Sequence, residues 1–270
     1  MATRNEVDYV SGRTRLFGIV GHPIEQVRSP EMITAEMTAR GHDAVLVPMH
    51  VLPEDFDALV PRLLRLQNLG GLVFTIPYKA RALALTGDLG AQARAVGAIN
   101  ALARRPDGRL RADIFDGVGC VEAFRRRGIA FAGRNVMLLG AGGAGSAIAV
   151  AIGFEQPRAL TIFDVDPARA ESLARKVAAA NPSVDVIAGA ATVARMDVLL
   201  NATPVGMLAD ARLPLDVDAL PRELIVFDAI VKPERTPLIE LAQRAGCTTI
   251  FGREMMHGQI SRMVDFFFAA

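Results

Sequence analysis

The stretch MLLGAGGAGSAIAV, residues 137–150, sets a short apolar run against a glycine cluster and continues as an alanine-rich apolar segment. Gly140, Gly142 and Gly145 fall in the G-x-G-x-x-G spacing of a strand that turns into a helix around a pyrophosphate. The first glycine allows the tight turn and the second lets a phosphate approach the backbone. The third lets the helix pack on the strand, while the free amides at the helix N-terminus face the anion. Ala141, Gly143 and Ala144 complete the loop. An acid, Asp164, closes the next apolar run, TIFDVD, where a carboxylate accepts the hydroxyls of an adenosine ribose and repels a 2′-phosphate. On that ground NAD is expected in preference to NADP. The competing use of Asp164 or Asp166 is to cap the helix that Pro167 opens.

A long segment precedes this turn. The 270 residues suggest two domains, and 51% hydrophobic with 22% charged residues describes an ordinary globular chain. A formal net charge of +1, with no like-charge block longer than Arg125–Arg127, argues against a nucleic-acid partner. MATRNEVDYVSGRTR has no apolar stretch, so no secretory signal is expected, and no run suits a membrane span. Cys120 and Cys247 lie far apart, which fits a reduced cytoplasmic protein. The four histidines, His22, His42, His50 and His257, show no ligand spacing, and no metal is expected. The sequence carries no signal for oligomeric state.

Upstream, strands are expected at 15–20, 44–51 and 71–76, alternating with helices at 29–41 and 53–71. Ser29 is placed to cap the first helix and Pro61 to kink the second. Residues 99–113 form a hairpin around Pro106-Asp107-Gly108, and a helix follows over 116–128 with Asp116 as its cap. The alternation then restarts and includes helices at 167–180 and 237–245 and a Met- and Phe-rich helix at 253–268. The fold class is α/β with two domains. A substrate-binding, catalytic domain with a mostly parallel sheet spans 1–115 plus 252–270, and a Rossmann dinucleotide-binding domain spans 116–251.

Lys79, in FTIPYKA, stands near the amino end of a short helix, where the helix dipole disfavours a cation. Together with its neighbours it resembles the shikimate dehydrogenase family, nearly end to end. GHPIEQVRSP (21–30) resembles that family's substrate loop and FTIPYK its NVTxPxK segment. VGAIN resembles GAVN and DIFDGVG resembles DNTDGxG. NATPVGM (201–207) resembles its nicotinamide-side motif and REMMHGQ (253–259) its GxxMLxxQ helix.

The resemblance implies that Lys79 and Asp116 are catalytic, Lys79 moving the hydroxyl proton while hydride passes to the nicotinamide. It places Ser29, Thr75, Asn100 and Gln259 around a small-molecule substrate. Asn201, Ala202, Thr203, Met207 and Met255 then lie along the cofactor. This chain also departs from the family. One of the paired serines that hold the shikimate carboxylate corresponds to Val27, and the asparagine on a ring hydroxyl to Val73. The threonine before the catalytic aspartate is Phe115, and the tyrosine that helps with the carboxylate is Val231. Each lost hydrogen bond is worth about 1–3 kcal/mol, so the substrate is expected to be a shikimate-like or less polar cyclic alcohol or ketone. Two other readings stand beside this one: a genuine shikimate or quinate dehydrogenase, and a non-catalytic nucleotide-binding sensor.

Overall fold

The computed structural model describes residues 10–25 and 27–269. The chain divides into two compact units, the second the larger. The first takes the described residues up to Leu89, then Ala98–Asp113 and those from Met263 on; the second takes Gly90–Gly97 and Ile114–Arg262. Three stretches thus fall otherwise than the boundaries read from sequence. Residues 90–97 and 114–115 belong to the second unit, and the last helix is divided between the two.

In the first unit, β1 (Arg15–Gly21) pairs in parallel with β2 (Ala44–His50) and with β3 (Leu69–Phe74). The hairpin of β4 (Ala101–Arg104) and β5 (Leu110–Asp113) extends this sheet antiparallel, giving the order β2-β1-β3-β4-β5. Helices α1 (Ser29–Ala39) and α2 (Phe56–Leu63) supply the crossovers between the parallel strands. α2 is much shorter than its hydrophobic pattern predicts. It buries only Phe56 and Val60, with Pro61 inside it, and the chain turns away at Leu64. Ser29 does not cap α1: Arg28 holds the cap position, and Ser29 and Pro30 form the first turn.

The second unit carries a wholly parallel sheet in the order β11-β10-β9-β6-β7-β8. Its strands are β6 (Asn135–Leu139), β7 (Ala159–Phe163), β8 (Asp185–Ala188), β9 (Val198–Asn201), β10 (Ile225–Asp228) and β11 (Thr248–Phe251). This is the doubly wound Rossmann order, with its switch between β6 and β9. The helices are α3 (Ala91–Val96), α4 (Asp116–Arg126), α5 (Gly143–Phe154), α6 (Pro167–Ala180), α7 (Pro237–Ala245) and α8 (Gly252–Phe268). Helix α3 has no strong sequence pattern and goes unforeseen, and the short helix expected after Lys79 is a 3₁₀ turn at Arg81–Leu85.

The core of the second unit forms around α5, whose residues from Ala147 to Gly153 are all buried. Small side chains let its neighbours come close. A Cβ on Gly117 of α4 would lie 1.9 Å from the carbonyl oxygen of Ala147. That partner is backbone and cannot swing aside. Gly117→Ala should therefore force α4 off α5 and lower the unfolding free energy by about 3 kcal/mol, read by urea denaturation. Unchanged stability would mean the two helices are not held this tightly.

Candidate active site

Within the first unit, the ends of β1 and β3 gather one group of the predicted residues. The Thr75 amide donates to Val20 O at 3.0 Å and the His22 amide to Ile76 O at 3.0 Å, which ties the segment after β3 to the loop after β1. Tyr78 is 1% exposed, stacks on Phe56 and donates its hydroxyl to Val51 O at 2.5 Å. That buried anchor fixes the backbone of Lys79, whose carbonyl accepts from the Ile99 amide at 2.9 Å. Asn100 comes next, buried, its carbonyl bonded to the Phe74 amide at 2.9 Å. Lys79, Thr75 and Asn100 thus surround the exit of β3, with buried Val73 on the strand itself. Val27 and Ser29 are half-buried in the loop and first turn that follow β1.

Sequence reading passes over one further contact here. His22 Nδ1 lies 2.8 Å from His50 Nε2, and the two rings stack at 5.1 Å. The residues sit 28 positions apart, so only the parallel register of β1 and β2 brings them together.

In the second unit, Phe115 is the cap residue of α4 and is buried, while Asp116 opens the first turn without capping it. The carboxylate of Asp116 instead accepts a hydrogen bond from Gln259 Nε2 at 3.0 Å. Gly119 permits that approach, because a Cβ there would lie 2.8 Å from the Gln259 Cβ and 2.5 Å from the Met255 carbonyl oxygen. Met255 is 9% exposed and belongs to the hydrophobic core of this unit, so packing already accounts for it.

The glycine loop caps β6. Gly140 takes a left-handed φ of 99°. A Cβ on Gly145 would meet Gly140 O at 1.9 Å, so strand, turn and helix close on one another as a dinucleotide fold requires. Gly142 differs: nothing lies within 4 Å of the position its Cβ would take. No protein neighbour demands glycine there, and the open space lies before the first amides of α5, as a pyrophosphate needs. Gly143 and Ala144 are exposed in the same turn, and half-buried Ala141 precedes them. Asp164 accepts from the Ala141 amide at 2.7 Å and from the Asp166 amide at 3.0 Å. Asp166, not Asp164, caps α6 by accepting from the Ala168 amide at 3.1 Å.

Across the switch, Asn201 is fully buried and has an internal task. Its Oδ1 accepts from the amide and hydroxyl of Thr203 at 3.0 and 2.7 Å, and its Nδ2 donates to Asp228 at 3.2 Å. Asp228, unforeseen from sequence, is 1% exposed and also accepts from the Thr236 hydroxyl at 2.7 Å and the Ile230 amide at 3.0 Å. Burial raises its pKa above the ordinary carboxylate value despite these donors. The network pins the loop from Asn201 through Ala202 and Thr203 to Val205. Met207 and Val231 are exposed on adjoining loops, which the Leu208 amide joins by donating to Lys232 O at 3.1 Å. The sequence signal available for the network was Thr236 before Pro237, a helix-cap pair with an aspartate upstream.

A family model described as the shikimate dehydrogenase substrate binding domain matches residues 19–102. A shikimate dehydrogenase (NADP(+)) of Rubrobacter xylanophilus is 36% identical over 254 residues, covering 93% of this chain and 89% of its own. The chain belongs to the shikimate dehydrogenase family. It is accordingly an NAD(P)-dependent dehydrogenase acting on CH–OH groups. A second such relative, from Symbiobacterium thermophilum, is 35% identical over 91% of this chain and 86% of its own. Among solved structures, the ligand-free 5-ketofructose reductase of a Gluconobacter strain superposes with a TM-score of 0.88 at 26% identity, covering 96% of this chain and 95% of that one. The shikimate 5-dehydrogenase of Listeria monocytogenes, in complex with shikimate and NAD, gives 0.88 at 28% identity over 99% and 94%.

The family corrects the expected preference for NAD over NADP, since relatives aligned over nine-tenths of the chain are named for NADP(+). The physical reason lies in Asp164. Both of its oxygens already accept from backbone amides of its own turn, so the carboxylate has a structural use that requires no ribose. The membrane is a simpler matter: among the described residues no helix is long and apolar enough to cross one.

Gly142→Ala should weaken binding of a reduced nicotinamide dinucleotide by about tenfold or more while moving the unfolding temperature little. Its φ of −75° suits alanine and its Cβ meets no protein atom. Fluorescence titration beside a thermal melt checks this; unaltered affinity would take the loop out of phosphate binding.

Proposed function

We propose that the enzyme interconverts a ring secondary alcohol and its ketone, on a substrate less polar than shikimate. The observation that carries this reading is a contrast between two sets of positions in the sequence. Lys79, Asn100, Asp116 and Gln259 remain where the family has its reacting groups, and the Asp116–Gln259 bond is formed at 3.0 Å. The positions that grip shikimate's carboxylate and hydroxyls elsewhere in the family hold Val27, Val73, Phe115 and Val231. Ser29 and Thr75 are the polar groups left beside them.

In this reading Lys79, as the neutral amine, takes the hydroxyl proton as the alcohol is oxidised, and as the ammonium it returns that proton in the reverse direction. Asp116 accepts from the substrate hydroxyl, and Gln259 holds its carboxylate in one rotamer. Asn100 and Thr75 orient the ring. The nicotinamide, when bound, takes up the hydride that leaves the carbinol carbon. The first unit then serves the substrate, and the second, through the Gly140–Gly145 turn with Ala202, Thr203 and Met207, serves the dinucleotide. The structural likeness to a 5-ketofructose reductase favours a substrate without a carboxylate. The 36% identity to a named shikimate dehydrogenase favours a second reading, shikimate oxidation with NADP.

Lys79→Ala should cut turnover on the best cyclic alcohol by about a hundredfold while cofactor affinity stays unchanged. An undiminished rate removes Lys79 from the proton transfer. The two substrate readings separate on shikimate itself. A high KM is expected for wild type, because contacts made equally in ground and transition states act on binding. Val27→Ser with Val73→Asn should then raise kcat/KM on shikimate about ten- to a thousandfold, at roughly 1–2 kcal/mol per recovered hydrogen bond. Phe115→Thr completes the series. Wild-type turnover of shikimate as efficient as that of the named relatives would decide for the second reading.

A further inference from the structure

A cavity of about 290 Å³ opens in the first unit where β1 and β3 begin and β4 ends, the opposite end of the sheet from Lys79. Arg15, Arg104 and Arg105 line it together with Asn68 and the end of α8 at Phe267 and Phe268. Three guanidinium groups around one small cavity demand compensating charge, and little is provided. Arg105 pairs with Asp88 at 2.9 Å. Arg104 spends its donors on neutral carbonyls: those of Leu69 at 3.2 Å and Gly108 at 3.4 Å, and that of Leu64. Arg15 stacks over the rings of Phe17 and Phe268, 5.5 and 5.2 Å from their centres. Among the described residues neither Arg15 nor Arg104 meets a carboxylate. The carbonyl end of α8 offsets only about half a unit charge, so among the described residues the lining carries a positive excess.

Two further observations point to a ligand. Among the described residues the buried Arg105 Nε has no hydrogen-bond partner, so its desolvation goes unrepaid by them. Arg15 is also held in place. The guanidinium lies between two rings and close over Gly70, where a Cβ would be 2.9 Å from Arg15 Nη2. Arg104 has a structural reason for its position, strapping together the segments at Leu64, Leu69 and Gly108. Arg15 has none beyond its two rings. A planar, preorganised guanidinium beside an aromatic ring is how proteins take an organic oxyanion.

We propose that this cavity binds a small organic anion, its carboxylate or phosphate head on Arg15 and Arg105 and its apolar body against Phe268. The site lies apart from the residues assigned to the reaction and does not depend on the substrate reading. Its test is calorimetric titration of the full chain with benzoate, phenyl phosphate and the neutral benzyl alcohol. At least one anion should bind saturably, more weakly as salt is added, with the alcohol about tenfold weaker or worse. The tighter anion identifies the head group. Arg15→Gln and Arg105→Gln should each reduce its affinity about tenfold or more with unchanged unfolding temperature. Arg15→Lys, which keeps the charge but loses the planar fork, should fall between. Should Arg105→Gln fail to fold for want of the Asp88 pair, the Arg15 variants decide alone. Absence of saturable anion binding overturns the proposal. So does equal binding of the alcohol, or full affinity in Arg15→Gln, the last placing the anion elsewhere.

Discussion

The close approach of backbone to α5 is the constraint on which the second unit rests. This helix is buried from Ala147 to Gly153, and glycine allows contact at its start, beside its middle and near its end. Gly145 touches the carbonyl of Gly140, Gly117 touches that of Ala147, and a Cβ on Gly153 would lie 2.6 Å from Asn181 Nδ2. The first contact aims the amides of α5 at the space before Gly142. The second fixes α4, and with it Asp116 at the start of that helix. One packing requirement therefore positions both the glycine turn and the Asp116 carboxylate, without any ligand taking part.

Polar groups follow the same economy. Asp228 is buried at the end of β10 and survives there because three donors converge on it. Its removal would leave Asn201, Thr236 and the Ile230 amide without their acceptor and would release the loop that Asn201 folds. The buried tyrosine at position 78 does comparable work in the first unit, where its hydroxyl reaches across to Val51 and sets the backbone beside Lys79. In both cases a side chain that touches no reactant decides where a functional segment lies.

The chemistry and the specificity of this family member are separable for that reason. Lys79 and Asp116 are held by hydrogen bonds and packing within their own units. The positions at which it departs from the family motifs lie in loops and at element ends: Val27 and Val231 in loops, Val73 at the end of β3, Phe115 before α4. In the proposed reading, exchange of polar for apolar side chains there alters what is recognised and leaves the reacting frame alone.

Much of this was legible in the sequence. The glycine spacing, the restart of strand–helix alternation after it and the motifs around Lys79 and Asp116 belong to local segments, whose periodicity and turn chemistry depend on nearest neighbours. Helices Pro167–Ala180 and Pro237–Ala245 accordingly run where their patterns predict. Cap assignments for Ser29 and Asp116 failed, since the residue before each took the cap position, a choice made by how the helix docks. The NAD preference drawn from Asp164 failed for a related reason: besides the local amide of Asp166, the carboxylate accepts from that of Ala141, a neighbour only when β6 and β7 pair. Gln259 on Asp116, Asp228 beneath Asn201 and His22 against His50 likewise join residues far apart in the chain. Local sequence determined the elements and the type of chemistry. Long-range packing decided which donor meets which acceptor, because a hydrogen bond is directional and short, and only the closed fold brings its two ends within reach.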